Sequence, residues 1–196
     1  MLINSFLIIL AYLIGSISGA IITTKLMALP DPRTQGSGNP GATNVLRNGG
    51  KKAALFTLSI DILKGIIAVL IVTLITTTPL ILAAATLAVF LGHLYPIFFQ
   101  FKGGKGVATA FAALLILAWP VALVALLTWI IMALVFRYSS LSALTAAIMT
   151  PISMFWLTPY WEYTLVSIII CGFLIWRHRS NIQNLWNGKE DKIGSS

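Results

Sequence analysis

The chain has 196 residues, 58% of them hydrophobic and 9% charged, whereas soluble domains carry about one quarter charged residues. That balance excludes a soluble globular domain. A formal net charge of +8, confined to short segments between apolar runs, points away from nucleic acid and toward anionic lipid and anionic substrates. Cys171 is the only cysteine, so one chain offers neither a disulfide nor a thiolate zinc site, and Cys171 reads as a small apolar packing residue.

In chain order, apolar spans are expected at Asn4 to Leu29, Ala53 to Ile75, Pro79 to Phe101, Val107 to Trp119, Val121 to Phe136, Leu141 to Thr158 and Tyr163 to Trp176, against roughly 20 residues needed to cross hydrocarbon. The first has no positively charged leader and reads as a retained helix, in which Gly15 and Gly19 are spaced for close helix packing. The fourth and fifth are short. As one helix they would extend about 45 Å, beyond a core of about 30 Å. Trp119-Pro120 offers a break, so a hairpin of two short helices is expected.

Seven crossings put Arg33, Arg47, Lys51, Lys52, Lys102, Lys105, Arg137, Arg177, Arg179, Lys189 and Lys192 on one side and no lysine or arginine on the other. The positive-inside bias then sets the N-terminus outside and the C-terminus in the cytoplasm. The expected fold is therefore an all-α integral membrane protein, a seven-transmembrane-helix bundle with short or broken helices. It is expected to be a single domain over residues 1–196, with the polar end fraying after Glu190.

Two glycine-rich, basic loops interrupt the apolar pattern. Ser37-Gly38-Asn39-Pro40-Gly41-Ala42-Thr43-Asn44-Val45-Leu46-Arg47 follows the first span, and Phe101-Lys102-Gly103-Gly104-Lys105-Gly106-Val107-Ala108-Thr109 follows the third. Glycines let backbone amides converge on an anion while lysine and arginine supply charge, which suits phosphorylated ligands. Asp61 and Lys64, three residues apart, share one helix face within a span. They read either as a structural ion pair or as a substrate contact. A third basic cluster, Arg177-His178-Arg179-Ser180-Asn181-Ile182, is followed by Gly188 and Glu190. Alone it is a positive-inside flank, yet His178 and Asn181 share a helical turn and are placed to face the glycine loops.

These three stretches, in this order, resemble the acyl-phosphate-dependent glycerol-3-phosphate acyltransferases of bacterial membranes. The resemblance covers essentially the whole chain. Its motifs read Gly36 through Asn44, Gly92-His93-Leu94-Tyr95-Pro96 through Thr109, and His178-Arg179-Ser180-Asn181-Ile182, with Glu190 at the family's acidic position. The family commonly has a basic residue where this chain has Asn184.

The resemblance implies transfer of a fatty acyl group from acyl phosphate to the sn-1 hydroxyl of glycerol 3-phosphate, forming lysophosphatidic acid and phosphate on the cytoplasmic face of the bacterial plasma membrane. It assigns Ser37, Asn39, Thr43, Asn44 and Arg47 to glycerol 3-phosphate, and Lys102, Gly103, Gly104, Lys105 and Gly106 to a phosphate cradle. His178, Asn181 and Lys105 are the expected catalytic residues. His93 is either a substrate ligand or a hydrogen-bonded structural histidine, and Ser142, with Ser140 and Arg137, is a candidate for closing the site. Glu190 joins the substrate-binding set. No cofactor and no metal are expected, and the enzyme is expected to act as a monomer without nucleic-acid partners.

Acyl phosphate is a mixed anhydride with a good leaving group, so direct attack suffices without an acyl-enzyme. The His-x4-Asp pair of other acyltransferases is absent, since Phe98 and Gln183 stand where its aspartate would. The proton acceptor is then His178 or, preferred, a phosphate oxygen of the acyl phosphate. Two other classes fit less well. A transporter of phosphorylated metabolites needs polar residues through to the outer face. A magnesium-dependent phosphotransferase needs clustered carboxylates, and Asp31, Asp61, Glu162, Glu190 and Asp191 are scattered.

Overall fold

The structure is a computed structural model that describes residues 1–194. Every regular element among them is helical: α1 Leu2–Gly15, α2 Gly19–Leu26, α3 Ala42–Ile75, α4 Pro79–Leu94, α5 Val107–Leu117, α6 Trp119–Phe136, α7 Ser139–Leu157, α8 Trp161–Arg177 and α9 Arg179–Trp186, plus a 3-10 turn at Ile97–Phe99. By length and composition α3, α6, α7 and the segment Pro79–Phe99, which is α4 continued through the 3-10 turn, are able to cross a bilayer, and α1 with α2 makes a fifth span if its 42° bend is counted as one crossing. At 11 and 17 residues, α5 and α8 are shorter.

Sequence signals explain the helix boundaries. Ser18 caps α2, its hydroxyl accepting the Ile21 amide at 3.4 Å. Pro79 opens α4 and Pro120 sits in the first turn of α6, where a missing N–H costs nothing. The break expected at Trp119-Pro120 falls one residue earlier, at Ala118, whose φ of −156° and ψ of 79° leave the helix. The first span, expected as one helix, is divided at Ser16–Ser18. A second division is hidden in α3: Gly50 has φ 80° and ψ 177°, a conformation open to glycine alone.

Large apolar side chains face outward, among them Leu74, Leu134 and Trp156, each more than three-quarters exposed. In water these would be a liability; in lipid they meet a solvent of their own polarity.

The chain forms two compact units, one up to Ala113 and one from Leu114. In the first, α1 packs on α4, α2 on α3, and α3 on both α1 and α4. Gly15 and Gly19 serve different contacts because the chain bends between them. A Cβ at Gly15 would overlap the Val89 carbonyl of α4, whereas one at Gly19 would lie 2.6 Å from the Thr57 carbonyl of α3. In the second unit α6 packs on α7, α7 on α8, and α9 on α7 and α8.

The tail does not fray after Glu190 as expected. The Ile193 amide donates to the Arg137 carbonyl at 2.6 Å, Arg137 Nη2 donates to the Ile193 carbonyl at 3.0 Å, and Lys192 Nζ lies 5.8 Å from the centre of the Tyr138 ring. Composition alone marked this segment as polar, and one backbone bond together with the Arg137 side chain is what holds it.

Candidate functional site

The first glycine loop is organised from behind by one side chain. Asn44, 2% exposed, donates from Nδ2 to the Pro32 carbonyl at 2.8 Å and the Gln35 carbonyl at 3.0 Å. Its Oδ1 accepts the Ser37 amide and Asn48 Nδ2, both at 3.1 Å. All the hydrogen-bonding capacity of this amide is thereby used. Upstream, Arg33 grips Asp31 in a fork, Nε to Oδ1 at 3.0 Å and Nη2 to Oδ2 at 2.6 Å. That hydrogen bonding holds the Asp31 carboxyl below the usual carboxylate range. Ser37, Thr43 and Arg47 are exposed on this loop and the start of α3, and Asn39 is half-buried.

The second loop folds back on the end of α4. Gln100 and Phe101 adopt left-handed backbone, φ 57° and 59°, and reverse the chain. The Gly103 amide then donates to the Leu94 carbonyl at 3.1 Å and the Gly104 amide to the His93 carbonyl at 3.2 Å. Those two amides hold the loop in place, so the charges of exposed Lys102 and half-buried Lys105 are its groups best suited to an anion. Glycine is required by proximity: a Cβ at Gly103 would overlap the His93 carbonyl, and one at Gly104 would overlap His93 Nε2 and lie 3.1 Å from the Pro40 carbonyl. The two loops, far apart in sequence, therefore meet at Gly104. Gly106 turns the chain into α5 with φ 91°.

Beneath this loop lies a buried polar network. Lys64 Nζ is 2.8 Å from Asp61 Oδ1 and donates to the Ile17 carbonyl at 2.6 Å. His93 Nδ1 is 3.5 Å from the same Asp61 oxygen and 3.2 Å from Thr109 Oγ1. The expected pairing of Asp61 with Lys64 is present, while its continuation through His93 and Thr109 was not legible. Thr109 stood in the sequence as the end of the second motif, but nothing local linked it to Asp61.

In the second unit, His178 is 4% exposed and its Nδ1 lies 2.8 Å from the Leu174 carbonyl. A carbonyl only accepts, which assigns the hydrogen to Nδ1. Glu190 Oε1 accepts both Asn181 Nδ2 at 2.7 Å and Ser140 Oγ at 2.6 Å. The Ser142 hydroxyl is buried and donates to the Tyr138 carbonyl at 2.8 Å. In the first unit the structure thus brings His93, Gly103 and Gly104 together against Pro40, while Asn44 lies behind the first loop; in the second it brings Asn181, Glu190 and Ser140 together, with His178 at the α8–α9 turn. Among the described residues no group of three histidines, cysteines or carboxylates is arranged to hold a metal ion.

The profile of the family described as glycerol-3-phosphate acyltransferase matches residues 5–188. A relative of that name from Thioalkalivibrio sulfidiphilus is 53% identical over 196 residues, covering 100% of this chain and 96% of its own. Another of that name, from Haemophilus influenzae, is 50% identical over 188 residues, covering 96% and 94%. The crystal structure of PlsY (YgiH), an integral membrane glycerol 3-phosphate acyltransferase, in its glycerol 3-phosphate form superposes with a TM-score of 0.92 at 41% identity, covering 98% of this chain and 96% of that one. Its lysophosphatidic acid form gives a TM-score of 0.89 at 40% identity, with the same coverage. Together with the helical membrane architecture and the two loops joined at Gly104, these likenesses settle the lineage: the chain belongs to the glycerol-3-phosphate acyltransferase family.

Proposed function

We propose that this protein transfers a fatty acyl group from acyl phosphate to the sn-1 hydroxyl of glycerol 3-phosphate, releasing lysophosphatidic acid and inorganic phosphate. The meeting of two glycine-rich loops at Gly104, with Arg47, Lys102 and Lys105 among their residues, carries the reading, because both substrates bear phosphate. The protein works as one monomeric enzyme of seven crossings in the bacterial plasma membrane, N-terminus outside and loops at the cytoplasmic face. Cytoplasmic loops suit a soluble phosphate ester, and the apolar helices suit an acyl chain.

The glycerol 3-phosphate hydroxyl oxygen attacks the carbonyl carbon of the acyl phosphate. The new C–O ester bond forms as the C–O bond to phosphate breaks, and phosphate leaves with the electron pair. The hydroxyl proton passes to a phosphate oxygen of the donor, so no acyl-enzyme forms. Ser37, Asn39, Thr43 and Arg47 bind glycerol 3-phosphate, with Asn44 shaping their loop. Lys102 and Lys105 neutralise phosphate, and Gly103, Gly104 and Gly106 permit the close loop. His178 and Asn181 are assigned to orienting substrate on the resemblance of their motif. Positioning and electrostatic stabilisation of the oxyanion and departing phosphate supply the catalysis.

The test is acyl transfer by the purified protein from palmitoyl phosphate, with acyl-CoA and acyl-carrier-protein donors run separately and chelator present. Lysophosphatidic acid from acyl phosphate alone is expected. Product from a thioester donor alone overturns the donor assignment, and no product from any donor in folded, lipid-supported protein overturns the function.

A further inference from the structure

The network under the second loop has more partners than an ion pair requires. Asp61 Oδ1 is within 2.8 Å of Lys64 Nζ and accepts the Gly19 amide at 3.4 Å. Those contacts already answer the carboxylate's charge, yet the same oxygen also lies 3.5 Å from His93 Nδ1. Thr109 closes the arrangement. Its hydroxyl donates to the Asp61 carbonyl at 3.1 Å, so at 3.2 Å from His93 Nδ1 it is left to accept. Asp61 as a carboxylate likewise only accepts. Both neighbours therefore demand a hydrogen on Nδ1, which sets the tautomer, while Nε2 stands against Gly104.

We propose that Asp61 is a positioning residue for substrate phosphate. With Thr109 it holds His93 as the Nδ1–H tautomer, its Nε2 edge against Gly104, and the second loop's grip on a phosphate-bearing substrate depends on that ring. Lys64 and the start of α2 keep the carboxylate in place, so the elements of the first unit converge on one imidazole. The proposal rests on the acyl-transfer reading above. The phosphate belongs either to glycerol 3-phosphate or to the acyl donor, and the experiment separates the two.

The test is steady-state kinetics on full-length protein, varying each substrate in turn, after wild type has been shown to turn over. Thr109→Val, nearly isosteric, and Asp61→Asn are each expected to raise KM for one substrate about tenfold with kcat changed less than about threefold, the effect of losing a hydrogen bond to a positioned group. The substrate whose KM moves identifies the phosphate. Because asparagine reproduces the Nδ1 end and glutamine the Nε2 end of histidine, His93→Gln is expected to retain more substrate affinity than His93→Asn. In the His93→Gln background Thr109→Val is expected to add nothing. Unchanged KM for both substrates, a better rescue by asparagine, or fully additive effects overturn the proposal. Thr109→Val keeps the test valid if Asp61→Asn fails to fold. A wild type that turns over neither donor class defeats the acyl-transfer reading and, separately from these variant outcomes, the proposal with it.

Discussion

Asn181 Nδ2 donates to Glu190 Oε1 at 2.7 Å, tying the start of α9 to the chain beyond its end. Because Ser140 Oγ reaches the same oxygen at 2.6 Å, one carboxylate also fastens that turn to α7. Glu190 was expected among the substrate ligands; its visible contacts hold Asn181 in place.

Glu190→Ala is expected to reduce activity at least about tenfold by releasing both donors, whereas Glu190→Gln, which keeps an oxygen able to accept both, retains most of it. Acyl-transfer rates of the two variants, with thermal stability in detergent alongside, check this. Equal losses would show that charge matters more than the shared acceptor.

Asn44 is bonded through both ends of its amide. Asn44→Asp is isosteric but turns a carboxylate toward the Pro32 and Gln35 carbonyls, so it is expected to be as damaging as Asn44→Ala. Each substitution costs about 2 kcal/mol or more, since buried acceptors are left unpaired. Chemical denaturation and KM for glycerol 3-phosphate report the effect. An aspartate variant with wild-type KM would remove Asn44 from its role in shaping the loop.

Gly15 and Gly92 allow α1 and α4 to touch backbone to backbone. A Cβ at Gly92 would overlap the Tyr12 carbonyl and lie 2.9 Å from the Ser16 amide nitrogen. Backbone cannot move aside as a flexible side chain does, so Gly15→Ala and Gly92→Ala are each expected to destabilise by about 1–3 kcal/mol. Gly172, with nothing within 4 Å of its Cβ position, is the control: Gly172→Ala should leave the melting temperature unchanged or slightly higher. Equal behaviour of all three would contradict the packing.

The Asp31 carboxyl, lowered by its Arg33 hydrogen bonds, contributes stability that is fully present above the ordinary carboxylate pKa and is lost as pH falls through its lower folded value. Both side chains are about one-third exposed, 29% for Arg33 and 36% for Asp31, so the contribution is under about 1 kcal/mol. Asp31→Asn is expected to leave activity between pH 6 and 9 within about twofold of wild type and to flatten the stability profile only in acid. A large loss at neutral pH would place Asp31 in the substrate-binding machinery.

The sequence by itself determined the membrane class, the helical architecture, a break close to Trp119-Pro120 and the ordered motifs that mark the family. Each of these is local: hydropathy accumulates over about 20 consecutive residues, proline acts at its own position, and glycine with lysine marks an anion loop wherever it stands. Even the Asp61–Lys64 pair was legible, because three residues on a helix make neighbours. The division of the first span at Ser16–Ser18 was not, since twenty-odd apolar residues read alike whether straight or bent. Only the tertiary structure decided that Asn44 organises its loop, that Ile193 docks on Arg137, and that Thr109 and Asp61 converge on His93. Thr109 meets the Asp61 carbonyl from 48 positions away. Hydrogen bonding acts over about 3 Å in space, and a linear pattern carries no record of which distant groups folding brings within that reach.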